Sequence, residues 1–232
     1  MKKTYKWMIG LVLLSVVVAG IFLTLAPDTI PVHYNAAGEI DRWGSKYEFL
    51  LLPFFSVVMG VFMSLVARRE GKQGRQDNET VVAVVGIWSL VLFNALWLFF
   101  FRKSLAGTDL RGNEDLSVKV IFLLLAASFL PLGNIMPKAR SNSLFGLRTK
   151  WSMANDTCWQ KSQRFGGYLL MGTGMAGIIL VSLCPASWAS IVVMVLILSM
   201  VVAATVGTYV IWKRENEKST AFQRCFLVQS GL

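Results

Sequence analysis

Residues 165–212 contain no Asp, Glu, Lys or Arg. As one α-helix this stretch would reach roughly 72 Å at 1.5 Å per residue, more than twice the hydrocarbon thickness of a bilayer. Cys184-Pro185-Ala186-Ser187 falls near its middle, and proline blocks helix continuation. The stretch therefore reads as two membrane spans joined by a tight hairpin. Four more charge-free runs, residues 7–27, 49–67, 80–101 and 120–137, are 18 to 22 residues long, each close to the length of one span. The predicted fold is all-α: a polytopic membrane protein with a six-helix transmembrane bundle. A large soluble catalytic domain is excluded, because the longest polar segment left over is about thirty residues. Charged residues are only 16% of the chain, against roughly 25% in soluble domains, and mean hydropathy is +0.56.

With alternating spans, Lys and Arg number 17 on the side carrying both termini and 6 on the other. The positive-inside rule then predicts cytoplasmic termini. Nearly all of the net charge of +10 lies on the face that meets anionic lipid, so membrane lipid, and no direct nucleic acid, is the expected partner of these cations. The first run has a small-residue end at Thr24-Leu25-Ala26, but its length and the following Pro27 predict a retained anchor over a cleaved signal. Cys158, Cys184 and Cys225 lack the spacing of a disulfide framework or zinc site. With His33 the sole histidine, a multi-histidine metal site is impossible, and no cofactor is expected.

In lipid, helices associate through close packing of small residues and interhelical hydrogen bonds. Ser56, Gly60 and Ser64 form an i, i+4 series, Gly172 and Ala176 are flanked by Gly174 and Gly177, and Ala203 and Gly207 lie in the last span. All are read as bundle contacts. Asn94 is the one notable polar residue at a span centre, with Glu48 and Lys119 at span ends, so Asn94 is expected to bond between helices.

Polar chemistry concentrates in two loops. The first, residues 27–46, holds Pro31, His33, Asn35, Gly38, Asp41 and Trp43. Its prolines fix φ, residues 35–38 and 43–45 suit turns, and its aromatic residues suit headgroup depth. Asp41 and Arg42 are expected to hold the loop closed, while His33 is either structural or a ligand contact. The second, within residues 138–165, holds Asn142, Gly146, Arg148, Thr149, Trp151 and Trp159. Thr157 and Gln160 fit a capping box, predicting a helix that starts there and lies at the membrane surface before entering it. Arg148 can bind carboxylates, lipid phosphates or helix-end carbonyls, and Trp151 and Trp159 suit interfacial anchors.

At these loops the chain resembles the SdpI family of membrane immunity proteins. The resemblance rests on Asn142, Leu144, Gly146-Leu147-Arg148-Thr149, Trp151 and Trp159. Pro27, Ile30-Pro31, His33, Asn35, Gly38 and Asp41-Arg42-Trp43-Gly44 resemble the uncharacterised membrane domain that often precedes that signature. Lys150 departs from the proline common in the family, and Ser152-Met153 is looser than the usual Thr-Leu. The implied organisation is a domain over residues 1–115 with three spans and the outside loop 27–46, then an SdpI-like domain over 116–232 with three spans and the cytoplasmic loop 138–165.

The resemblance implies a non-enzymatic protein of the bacterial inner membrane that protects against a membrane-active secreted toxin peptide. It also implies a possible second partner, a cytoplasmic transcriptional repressor recruited for signalling. Three other classes stay open on the residues alone, one of them a structural subunit of a larger complex assembled through the small-residue stripes. A small transporter or exporter requires a polar midplane cavity, with Asn94 at its wall. A membrane-embedded enzyme acting on lipid or cell-wall precursor has His33, Asp41 and Arg42 as its best catalytic set.

Overall fold

The computed structural model describes residues 3–35, 39–107, 115–142 and 145–229, with side chains at 115–117 and 219–229 left aside. Six helices among them are long and apolar enough to cross a membrane, as the charge-free runs predict. They are α1 (Lys3–Leu25), α2 (Leu51–Lys72), α3 (Gln76–Ala106), α4 (Asp115–Ile135), α5 (Asp156–Leu183) and α6 (Ala186–Gln229). The protein is an all-α polytopic membrane protein with one addition, an antiparallel hairpin of β1 (Thr29–Tyr34) and β2 (Ile40–Ser45).

Helix boundaries follow local chemistry. α1 stops just before Pro27. Gly74 and Gly107 take positive φ at the ends of α2 and α3, a conformation that only glycine adopts without penalty. Pro185 splits the 48-residue run into α5 and α6, with Cys184 as the C-cap of α5. α5 begins two residues earlier than the Thr157–Gln160 reading: Asn155 is the N-cap, its side chain accepting from the Cys158 amide. An asparagine oxygen reaches the free amides of the first turn as readily as a threonine hydroxyl. Nor does a separate surface helix precede the fifth span, because Asp156–Leu183 is one continuous helix.

The helices pack as α1, α2 and α3 against one another and α4, α5 and α6 against one another, with α3 and α4 in contact between them. Ser15 on α1 bonds Ser56 on α2 at 2.8 Å and Asn94 on α3 at 2.9 Å, while the Asn94 amide donates to the Leu90 and Leu11 carbonyls. Asn94 is thus the interhelical bond expected of it. Asn94→Leu is expected to cost about 1 kcal/mol, the usual worth of such a bond in a membrane, measured by thermal unfolding in detergent. Gly60 admits Val12 of α1 against its backbone. In α5 it is Gly174 and Gly177 that meet Ala126 of α4, whereas Gly172 has nothing within 4 Å and is no bundle contact.

The closest approach of a glycine to another helix's backbone is between Gly133 of α4 and Gly167 of α5. A methyl group at Gly167 of α5 would lie 2.6 Å from the Gly133 carbonyl oxygen of α4, and one at Gly133 would lie 2.6 Å from the Gly167 carbonyl. The two backbones touch there.

Candidate functional site

The hairpin closes one end of the bundle. Its alternating Ile30 and Val32 put β-branched side chains on a single face. Ile30 is fully buried against Phe22, Phe49 and Trp97. Phe22 stands at the centre of an aromatic cluster, its ring 5.4 Å from Phe49, 5.2 Å from Trp97 and 5.0 Å from Phe101. Ser45 and Glu48 form a capping box over the turn Lys46–Leu50, and Lys46 holds Asp28 at 3.0 Å. The hairpin is therefore anchored at its root by packing and at its sides by polar ties.

Of the candidates in this loop, Pro31 is buried and pairs with Trp43, which is 53% exposed. Asn35 closes the turn, donating to the Glu39 carboxylate at 2.7 Å and accepting from the Glu39 amide at 3.0 Å. Gly38 lies outside the described residues. Asp41 and Arg42 each tie the loop, and each through a partner of its own. Asp41 meets His33 Nδ1 at 2.6 Å and Arg42 reaches Glu48 at 2.9 Å, because neighbours on a strand point to opposite faces. The same alternation separates the triad of the enzyme reading into two pairs.

Beneath the hairpin lies a cavity of about 500 Å³. Val32, His33 and Asn35 come from the loop, Glu48 from the turn after it, Leu51, Leu52 and Phe100 from α2 and α3, and Val118, Ile121, Phe122 and Ser190 from α4 and α6. Its walls come from both three-helix groups. They are largely apolar, with His33, Asn35, Glu48 and Ser190 as polar points, the composition usual for an organic-ligand pocket. Asn94, the residue a transporter would set at a cavity wall, is instead 4% exposed and engaged in the α1–α3 knot.

At the opposite end the loop between α4 and α5 is pinned on three sides. Trp159 is 1% exposed and donates from Nε1 to the Ala139 carbonyl at 2.8 Å. It is a core post, correcting its reading as an interfacial anchor. The fully buried Gln163 side chain accepts from the Leu147 amide at 2.9 Å and donates to the Leu147 carbonyl at 3.0 Å. Gly146, at φ +102°, leaves room for that amide. Asn142 caps the turn ahead of it, bonding the Arg140 carbonyl and the Phe145 amide. Thr149 exchanges bonds with Ser152 and meets Thr208 of α6 at 3.0 Å. Trp151 stacks edge-on to Tyr209 at 5.3 Å, with the Lys150 ammonium 5.2 Å from its ring centre. Arg148 is exposed.

The third side is α3. Buried Asn78 accepts from the Arg140 amide at 2.9 Å and donates to Glu70, itself held by both Nε and Nη2 of Arg75. Phe145 packs against the two buried clusters to which Val81 and Val82 of α3 belong. Gln163, Ser152, Asn78 and Glu70 thus position the loop, and none stood out in the sequence. Gln163 could have been found from its place four residues after Trp159, on the same helix face. Among the described residues no group of three or more His, Cys, Asp or Glu is arranged to hold a metal ion.

These features define a multi-pass membrane protein carrying a folded hairpin over a cavity at one end and a pinned loop at the other. Residues 138–210 match the SdpI/YfhL protein family and residues 10–57 match a domain of unknown function, DUF1648. The chain is homologous to the immunity protein SdpI of Bacillus subtilis (strain 168), 24% identical over 209 residues that cover 89% of this chain and 94% of that protein. An uncharacterized protein of Archaeoglobus fulgidus is 41% identical over 44 residues, 18% of this chain and 24% of that one. No solved structure matches. The resemblance expected from the two loops is borne out as similarity: the chain resembles SdpI over most of its length, and its N-terminal part carries the DUF1648 match.

Proposed function

We propose that this chain is a non-enzymatic immunity protein of the bacterial inner membrane that protects the cell from a membrane-active secreted peptide. Homology along 94% of a named immunity protein supports the class. The observation that carries the mechanism is the cavity of about 500 Å³ under the hairpin. The lysine and arginine distribution supports an orientation with the hairpin outside and both termini in the cytoplasm. An arriving peptide then meets Trp43 and the His33–Asp41 pair at the rim and buries apolar side chains among Leu51, Leu52, Phe100, Ile121 and Phe122. Captured there, it no longer reaches the lipid in a form that permeabilises it.

Because the cavity walls come from residues 1–115 and from 116–232, we read those two segments as functional halves. Occupancy at their seam bears on the other end of the same seam, where Arg140 bonds Asn78 and Asp77 of α3 and Phe145 packs beside them. This is the route by which a cytoplasmic repressor would sense the toxin.

The test is gene deletion followed by challenge with secreted membrane-active peptides, with membrane potential as readout. The deletion strain is expected to depolarise at peptide concentrations the parent withstands, and equal sensitivity of both strains refutes immunity. Ser190→Trp, which fills the cavity from α6, is expected to behave like the deletion while the protein still reaches the membrane in normal amount. His33→Ala removes an exposed pair worth roughly 0–1 kcal/mol, so its unfolding temperature should stay close to the parent's. Any loss of protection in that variant then reports on peptide contact.

A further inference from the structure

A second cavity, of about 510 Å³, lies at the end opposite the hairpin, where α3, the segment after α4 and α5 meet. Asp77 and Thr80 line it from the first turns of α3, Pro137, Lys138 and Arg140 from the segment after α4, and Gln160 and Arg164 from α5. Three cations face one carboxylate. Asp77 takes only the Nε of Arg140, at 3.0 Å, and the Nη groups of Arg140 make no hydrogen bond among the described residues. There, too, no carboxylate pairs with Lys138 or Arg164. Unlike the cavity under the hairpin, this one is polar and has an excess of positive charge.

The backbone that carries Lys138 and Arg140 is held in place. Between Lys138 and Arg140, the Ala139 carbonyl accepts from Trp159 at 2.8 Å and the Arg140 amide donates to Asn78 at 2.9 Å. Both partners are buried. Gln160 and Arg164 are four apart on α5 and so share a face. A rigid backbone thus presents a guanidinium fork and two further cationic groups to a single open cleft, the arrangement that suits a phosphate group.

Depth adds a second argument. Lys138 is the first charge after the run 120–137, Arg164 is the last before the run 165–212, and Thr80 opens the run 80–101. Three borders between polar and charge-free sequence converge on one cleft, which sets it at the level of lipid phosphates.

We propose that this cleft is a binding site for an anionic phosphate group, with Lys138, Arg140 and Arg164 as its ligands and Gln160 and Thr80 as supporting polar contacts. It is independent of the peptide-capture reading. Its location favours a phospholipid headgroup over free phosphate, and the test separates the two.

The full chain, purified in a neutral detergent, is titrated with phosphatidylglycerol, with phosphatidylcholine or with inorganic phosphate while thermal unfolding is followed. The parent is compared with Lys138→Gln/Arg164→Gln, with Arg164→Gln alone, and with Lys72→Gln/Lys213→Gln, which removes equal charge from the same end but outside the cleft. All four replaced side chains are exposed, and size-exclusion profiles confirm intact folding.

Phosphatidylglycerol is expected to stabilise the parent and the Lys72/Lys213 variant more than phosphatidylcholine does. The Lys138/Arg164 variant should bind it about thirty-fold more weakly, at about one kcal/mol per cation near a charged surface. The single variant should fall between. A cleft-dependent response to millimolar inorganic phosphate also supports the site and assigns it to a soluble ligand. Equal weakening in both double variants, or no weakening in the cleft variant, overturns the proposal and leaves diffuse surface charge as the explanation.

Discussion

Replacing Gln163 with leucine is expected to release the loop between α4 and α5 from the bundle. The side chain is fully buried and makes two opposed hydrogen bonds to the Leu147 backbone, imitating one rung of a β-ladder. Leucine keeps the volume but satisfies neither group. The Leu147 carbonyl retains a bond from Ser152 at 2.8 Å, whereas its amide is left with none. An unsatisfied part-buried amide costs about 1–3 kcal/mol, and the lost carbonyl bond adds roughly one more. The expected loss is therefore about 2–4 kcal/mol, read as a lower unfolding temperature and as faster tryptic cleavage at Arg148 and Lys150. Gln163→Glu should be intermediate, since a carboxylate still accepts from the amide but cannot donate to the carbonyl. Gly146→Ala should fail similarly, because it strains a residue at φ +102° and drives a methyl to 2.7 Å from the Gln163 oxygen. Unchanged proteolysis in Gln163→Leu would mean that Trp159 and Asn142 hold the loop unaided.

Replacing Gly167 with leucine should damage the bundle itself. Most tight contacts relax by rotating a side chain, but here the obstacle is the Gly133 carbonyl, 2.6 Å from the new Cβ. Backbone cannot turn aside without moving the helix. α4 and α5 would have to separate, removing contacts along their length at Gly174, Gly177 and Ala126. Overpacking of this kind costs about 3 kcal/mol, toward the upper end of its usual range. Lower accumulation in the membrane and early thermal unfolding are the measurements. Gly172→Leu is the matched control, since it lies on the same helix with nothing within 4 Å and should accumulate normally. Equal accumulation of the two variants would refute the close α4–α5 approach.

The contrast between those glycines shows how far linear spacing reaches. The glycine-rich stretch in α5 announces close packing, but not which members do the packing. That depends on the rotation of α5 about its axis, set by Gly133 and Ala126 on α4. Trp159 makes the same point. Tryptophan near a span end suits an interfacial anchor, yet this one is sealed inside because Ala139 supplies a carbonyl for its ring N–H. Trp43, on the exposed side of the hairpin, keeps the character its type suggests. Asn94 was legible because a lone amide among apolar residues must find a partner on another helix. Its partner Ser15 was not, since serine can satisfy itself on the preceding turn of its own helix, and Ser56 stood out only as a small residue in a packing stripe.

Charge-free runs and the proline within the longest of them determined the number of spans, their lengths and their order, because hydrocarbon tolerates neither charge nor unsatisfied backbone. Turn residues and the motif around Gly146 likewise located both polar loops. Tertiary structure decided everything that needs two distant segments at once. That covers the hairpin plugging the bundle with Ile30, the cavity shared by helices from both halves, the Gln163 clamp on Leu147 and the basic cleft at the junction of α3, α4 and α5. The reason is that burial cost is a property of each segment alone, whereas complementarity exists only once the segments have met.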